Sequence, residues 1–170
     1  LFRKKRRDPF EILGKSITRT LNIESVFIYG DFIPDKYTCR GEDLSPPLSI
    51  TGIPENTNSL VVIVYDVDVP TGVFYHWTLY NAPVVNEIPE GIPKEPSTQY
   101  GFQGLNDFGK IGYCGPCPKE GDKIHHYIIL VLAVTGKLKL KPGAKPENIL
   151  ESIRNRVLGY GVSMFVYGGR

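Results

Sequence analysis

Five residues of this 170-residue chain have types and spacings that chemistry could use: Asp66, Asp68, His76, His125 and His126. The two acids stand at i and i+2 in Tyr65-Asp-Val-Asp-Val-Pro70, where a buried strand ends. Extended backbone puts both carboxylates on one face, and their repulsion raises one pKa unless cations or N–H donors answer them. His76 follows ten residues after Asp66, inside an apolar, aromatic run. Taken singly, an acid that opens a turn is a cap, and a histidine within a strand is a hydrogen-bonded core residue. A second cluster changes the balance.

That cluster runs from Gly112 through Tyr-Cys-Gly-Pro-Cys-Pro-Lys-Glu-Gly-Asp-Lys-Ile-His-His to Tyr127. A rigid Gly/Pro loop exposes backbone N–H groups, which suits a bound anion. His125 and His126 open the following strand, so their side chains point to opposite faces and only one can serve a given pocket. Adjacent histidines make a poor metal pair for the same reason. Asp66, Asp68, His76 and His125 together would suit several divalent ions, but the set is discontinuous in sequence.

The string Cys114-Gly-Pro-Cys117 invites a redox reading. A reactive dithiol lowers a thiol pKa by sitting at a helix N-terminus; here Pro118 and Gly121 follow and no helical pattern comes after them. Cys114 and Cys117 therefore read as a local disulfide or as a reduced pair that packs, without redox turnover. With Cys39 the count is three, so at least one thiol is free or pairs between chains. The sequence has no phosphate-loop motif, no H-E-x-x-H and no nucleophile elbow; Ser163 in Gly161-Val-Ser-Met-Phe165 lacks the second glycine.

The elements that must position these residues read mostly as strands. Leu60–Tyr65 is β-branched, Phe74–Tyr80 is aromatic-rich, and Tyr127–Val134 is the strongest core strand. Pro146 suits a first helical position, and Ile149, Leu150, Ile153, Val157 and Leu158 recur at helical spacing up to Gly159. Tyr160–Tyr167 can be a last strand. The expected fold class is mostly β with few helices.

Composition bounds the function. With 41% apolar and 22% charged residues the chain is an ordinary globular one. Its longest apolar run, Tyr127–Val134, is far short of the roughly 20 residues a membrane helix needs, so no integral membrane span is expected. The net charge of +2 is uneven: the first eight residues carry five basic residues, at positions 3–7, against Asp8, and the other 162 carry 15 basic against 17 acidic. The body is thus no basic nucleic-acid binder. Residues 1–20 read as a basic, flexible arm ahead of a single domain over 21–170. The run has two other readings, the flank of a membrane anchor removed before Leu1 and a contact for anionic lipid or nucleic acid.

Four motifs, in order, resemble the phosphatidylethanolamine-binding protein family, and its short prokaryotic branch most. Cys39-Arg-Gly-Glu-Asp-Leu-Ser-Pro-Pro-Leu48 is similar to C-x-G-x-x-x-S-P-P-L. Asp66-Val-Asp-Val-Pro70 with His76-Trp77 and Tyr80-Asn81 is similar to D-P-D-A-P, H-W and x-N. Asn106-Asp-Phe-Gly109 leads to Gly112-Tyr113 and Gly115-Pro-Cys-Pro118. His125-His-Tyr127 is similar to H-R-Y. Order and spacing agree from about residue 23 to the end.

The resemblance implies a large antiparallel central sheet, a smaller sheet and a late helix, with an anion pocket at the edge of the large sheet. Carried over position by position, the pocket is Asp66, Asp68, His76, Tyr113, Pro116, His125 and Tyr127. Asp66 and Asp68 would orient and charge the two imidazoles, whose N–H groups then hold an anion beside loop amides. Affinity on that reading weakens as pH rises past the histidine range. Family ligands are phosphate-like head groups, and family activities are mostly inhibition of proteases or kinases. The function expected is non-enzymatic binding of a small anion, phosphate or phosphoethanolamine, by a cytoplasmic homodimer with no cofactor and no resident metal. A protease or kinase is the expected macromolecular partner, with the Pro-rich segment Pro89–Gln103 as a loop that could meet a protease. The competing expectation is a metal- or acid/base-assisted hydrolase built on His76, His125 and Asp66. Two departures from the family stand out. His126 replaces the usual arginine and, by alternation, points away from the pocket. The chain ends soon after Tyr167 without the C-terminal helix of animal members, which implies a more open site. The family's turn also implies a cis bond before Pro70.

Overall fold

The computed structural model describes residues 5–14 and 16–169. The elements run α1 (Pro9–Leu13), β1 (Asn22–Glu24), a 3-10 turn (Asp35–Tyr37), β2 (Leu48–Thr51), β3 (Ser59–Asp66) and β4 (Phe74–Ala82). They continue with β5 (Glu87–Ile88), β6 (Ser97–Thr98), β7 (Gly101–Gln103), β8 (His125–Val134), α2 (Pro146–Ile153) and β9 (Val157–Tyr167). The larger sheet has the order β6-β7-β4-β3-β8-β9 and the smaller one β1-β2-β5, and every pairing is antiparallel. Mostly β with few helices is the observed class.

The β-branched run becomes the central strand because both of its faces have something to meet. All eight residues of β3 are buried. Leu60, Val62 and Val64 pack with Ile23, Leu48, Ile50 and Ile88 of the smaller sheet. Val61, Ile63 and Tyr65 pack with Leu13 of α1 and with Ile149, Leu150 and Ile153 of α2. The result is three layers, small sheet on large sheet on helices, each face following the two-residue period of the strand.

Four expectations need correction. The late helix ends at Ile153, and Val157, Leu158 and Gly159 belong to β9. Gly159 reads as a stop, but its strand needs a residue without Cβ: a Cβ there would lie 2.1 Å from Thr20 Oγ1. The segment Pro89–Gln103 is not featureless, since it holds the short strands β6 and β7. The peptide before Pro70 is trans, as are all peptide bonds among the described residues. Lastly, Arg6 and α1, within the N-terminal arm, are packed against the body. Arg6 donates to Asp107 Oδ2 at 2.6 Å and to Glu147 Oε1 at 2.5 Å, its guanidinium lies 4.9 Å over the Tyr75 ring, and α1 adds Leu13 to the core. Arg3 and Lys4 of the basic run lie outside the described residues.

Candidate functional site

Three central strands deliver the chemistry to one edge of the large sheet. β3 ends there with Asp66, which pairs in register with Phe74 at the start of β4 and with Tyr127 near the start of β8. His125 opens β8 two residues further out. His76 arrives by a break in register: Val64 pairs with Trp77 but Tyr65 pairs with Tyr75, so His76 is the extra residue of a β-bulge. Such bulges re-aim a side chain and recur beside functional sites. Here the bulge sits between core-facing Tyr75 and Trp77.

A cavity of about 160 Å³ opens at this edge, lined by Asp66, Val69, Phe74, His76, Phe108, Cys117, Pro118, Asp122, His125 and Tyr127. Asp66 is nearly fully buried and both its oxygens are engaged. Oδ1 accepts from the Asp68 N–H at 2.8 Å and Oδ2 from His125 Nδ1 at 2.5 Å. A carboxylate only accepts, so Nδ1 of His125 carries the proton and Nε2 is left for a ligand. The Tyr127 phenol is pushed well above its ordinary value by burial and by the charges of Asp66 and Asp68, so its hydroxyl stays a donor. Phe74, Phe108 and Tyr127 surround the His76 ring at 5.1, 5.5 and 5.3 Å between centroids.

His76 Nδ1 lies 2.6 Å from the carbonyl oxygen of Cys114. Burial pushes this imidazole below the ordinary histidine range, against the pull of that carbonyl. It is therefore neutral at pH 7, which corrects the expectation of two imidazolium rings. The shift carries a stability signature. As pH falls below about 6.5 the unfolded chain takes up a proton that the folded chain refuses. Stability from this group is full above that value and is lost as pH falls toward the depressed folded value, at up to about 1.4 kcal/mol per pH unit. The melting temperature should fall between pH 7 and pH 5, and less steeply in His76→Gln; parallel curves for the two proteins would contradict the assignment.

The loop over the cavity is held from below. Cys117 is joined to Cys39 by a disulfide with a Cα–Cα distance of 5.3 Å, and Cys114 is the free thiol. The local pairing of Cys114 with Cys117 is thus corrected. Gly115 N–H donates to Asp43 Oδ1 at 2.8 Å and Tyr113 Oη donates to the Tyr37 carbonyl at 2.6 Å. A Cβ at Gly115 would lie 2.2 Å from that same carbonyl oxygen, so only glycine fits. Asn106 accepts from the N–H groups of Phe108 and Lys110 and so shapes the turn that presents Phe108.

Of the seven residues read as a pocket, the structure brings Asp66, His76, His125 and Tyr127 to the cavity. Asp68, Tyr113 and Pro116 lie outside its lining. The strand stops at Asp66, so alternation does not extend to Asp68, whose carboxylate turns outward to the N–H and Nδ1 of His126 at 2.7 and 2.6 Å. Burial opposes the shift, but the His126 imidazole and backbone N–H hold Asp68 below the usual carboxylate range. Asp68 therefore orients His126 and not a pocket imidazole. Tyr113 is a buried strut beneath the loop. Phe74, Phe108 and Asp122 were missed; Phe108 stands inside a quoted motif and Phe74 opens the aromatic-rich strand that carries His76, while Asp122 had no signal beyond its loop. Among the described residues, no group of three or more His, Cys, Asp or Glu side chains is placed to hold a metal ion.

Comparison with known proteins puts this site in context. The family model described as phosphatidylethanolamine-binding protein matches residues 23–168. The chain is similar to a UPF0098 protein of Pyrococcus horikoshii, 47% identical over 151 residues that cover 87% of this chain and 76% of that one. A UPF0098 protein of Pyrococcus abyssi is 45% identical over 158 residues, 91% of this chain and 89% of the relative. Among solved structures, a phosphatidylethanolamine-binding protein homologue of Chlamydia trachomatis superposes with a TM-score of 0.80 at 36% identity, covering 90% of this chain and all of that one. YbcL of Escherichia coli, described as a member of the mammalian family, gives 0.79 at 28% identity over 89% of this chain and 99% of its own.

Proposed function

Because the chain belongs to the phosphatidylethanolamine-binding protein family, we propose that it is a non-catalytic binding protein that holds a phosphate-like anion, free or as a head group, in the cavity at Asp66, His76, His125 and Tyr127. The observation that carries this reading is a set of polar groups left unspent at the cavity: the second nitrogen of each histidine and the Tyr127 hydroxyl make no hydrogen bond among the described residues. Buried side-chain nitrogen and oxygen atoms in the described chain are partnered, with Thr78 Oγ1 the exception, so unspent groups that reach an open cavity suit a ligand. The lining offers no serine, threonine or lysine, and the Cys117 sulfur is tied in its disulfide. Binding therefore fits the site better than covalent turnover. The disulfide also bears on location, since such a bond persists in oxidising compartments or inside hyperthermophiles; a cytoplasmic location fits the second setting.

Isothermal titration with inorganic phosphate and with phosphoethanolamine tests the proposal. Saturable one-to-one binding, lost in His125→Ala and kept in His126→Ala, is the expected result. Absence of binding by the folded protein, or loss in both variants alike, would overturn it.

A further inference from the structure

The unspent groups at the cavity are not all donors, and this narrows the ligand. Nδ1 of His76 faces a carbonyl oxygen, which has no proton to give, so the proton is on Nδ1. In the neutral ring Nε2 is then a lone pair. The acids near this ring already have partners. Asp66 on β3 is taken by His125 and the Asp68 N–H. Asp107 is taken by Arg6 and the Tyr75 N–H. Asp43 is taken by the Gly115 N–H and Lys94. Asp122 accepts from the Lys119 N–H at 2.6 Å and adds a negative charge at the rim. The other titratable neighbours are His125 and the Tyr127 hydroxyl on β8 and the Cys114 thiol on the loop. No lysine or arginine is among the lining residues.

Resting on the anion-binding reading above, we propose that the cavity selects oxyanions that carry a proton, phosphomonoesters and inorganic phosphate, over those that carry none, such as sulfate, with His76 Nε2 as the acceptor that reads the proton. A fully ionised oxyanion would set oxygen lone pairs against the Nε2 lone pair, beside the rings of Phe74, Phe108 and Tyr127. A P–OH group instead donates to Nε2, while one of its remaining oxygens accepts from the Tyr127 hydroxyl. Phosphate is suited to this because its second ionisation lies near neutrality, at about 6 for a monoester, so the donor form is at hand. Sulfate has no such form near neutral pH. A site built to hydrogen-bond a donor rejects the analogue that lacks it, because its own buried group is left unpaired.

The test is parallel titration of the whole protein at pH 7 with inorganic phosphate, phosphoethanolamine and sulfate. Phosphate and phosphoethanolamine should bind at least about tenfold more tightly than sulfate. Once the pH is lowered past the depressed folded value of His76, Nε2 becomes a donor, and sulfate should gain several-fold. His76→Asn keeps a short amide to face Cys114 but removes Nε2, and should bring the phosphate-to-sulfate ratio toward one. The pH series on the unaltered protein serves if that variant does not fold. Equal affinity for phosphate and sulfate at pH 7 would overturn the inference and leave anion binding standing, and so would a sulfate affinity flat with pH. No binding of phosphate or phosphoethanolamine would overturn the anion-binding reading itself, and this inference with it.

Discussion

Replacing Cys39 and Cys117 together with serine should cost about 4 kcal/mol of stability and lower the melting temperature by roughly 10 °C. The bond joins residues 78 apart in sequence, so reducing it frees a long loop in the unfolded chain. The chain-entropy argument gives more than 4 kcal/mol for a loop of that length, with native-state strain and residual unfolded structure working to reduce it. Both cysteines are replaced because a lone Cys117 would stand three residues from the free Cys114 and could pair locally. In the folded protein the bond fastens the cavity loop to the segment after the 3-10 turn, where the Gly115 and Tyr113 hydrogen bonds also act. Calorimetric melting of the double variant beside the oxidised parent measures the loss. A change under about 1 kcal/mol would mean that those hydrogen bonds hold the loop without the cross-link.

The second large effect is on binding. Asp66→Asn should weaken phosphate on the order of 10- to 100-fold, the usual worth of a hydrogen bond to a charged group. Both Asp66 oxygens accept, from the Asp68 N–H and from His125 Nδ1. An amide must set its NH₂ against one of those donors, and it removes the charge opposite His125. The ring then loses its fixed tautomer and its aim. Asp68→Asn is the contrasting variant, because Asp68 serves His126 on the outer side. Its effect on affinity should be within about twofold, in keeping with an exposed pair. Equal losses from the two substitutions would contradict the separation of the two acid–histidine pairs.

That separation marks where sequence reasoning stopped being able to see. The core strands were legible because β-branched and aromatic runs have few alternatives, and Leu60–Tyr65, Phe74–Tyr80 and Tyr127–Val134 all lie within observed strands. Asp66, His76, His125 and Tyr127 were reached because the motifs that carry them are short and ordered along the chain. Asp68 was misplaced by extending a period of two past the last hydrogen-bonded residue of β3. The bulge at His76 has no local signature, being set by the pairing of two strands. Val157 and Leu158 fit helical spacing as well as they fit a strand. What decides between the two is the close approach of Thr20 and Leu21 to Gly159 and Gly161, where a Cβ would come within 2.1 and 2.6 Å of an oxygen. The cross-link is a similar case: a C-x-x-C spacing suggests a local bond, and only the packed fold brings Cys39 to Cys117.

The proposed anion would sit between His76 and His125 at the end of the large sheet. The chain has three histidines, so the imidazole resonances can be followed one by one in a nuclear magnetic resonance titration with inorganic phosphate. Saturable shifts are expected at His76 and His125 with one common affinity, and none at His126, which faces outward beside Asp68. Shifts at His126 alone, or no saturable shift at either cavity histidine, would contradict it.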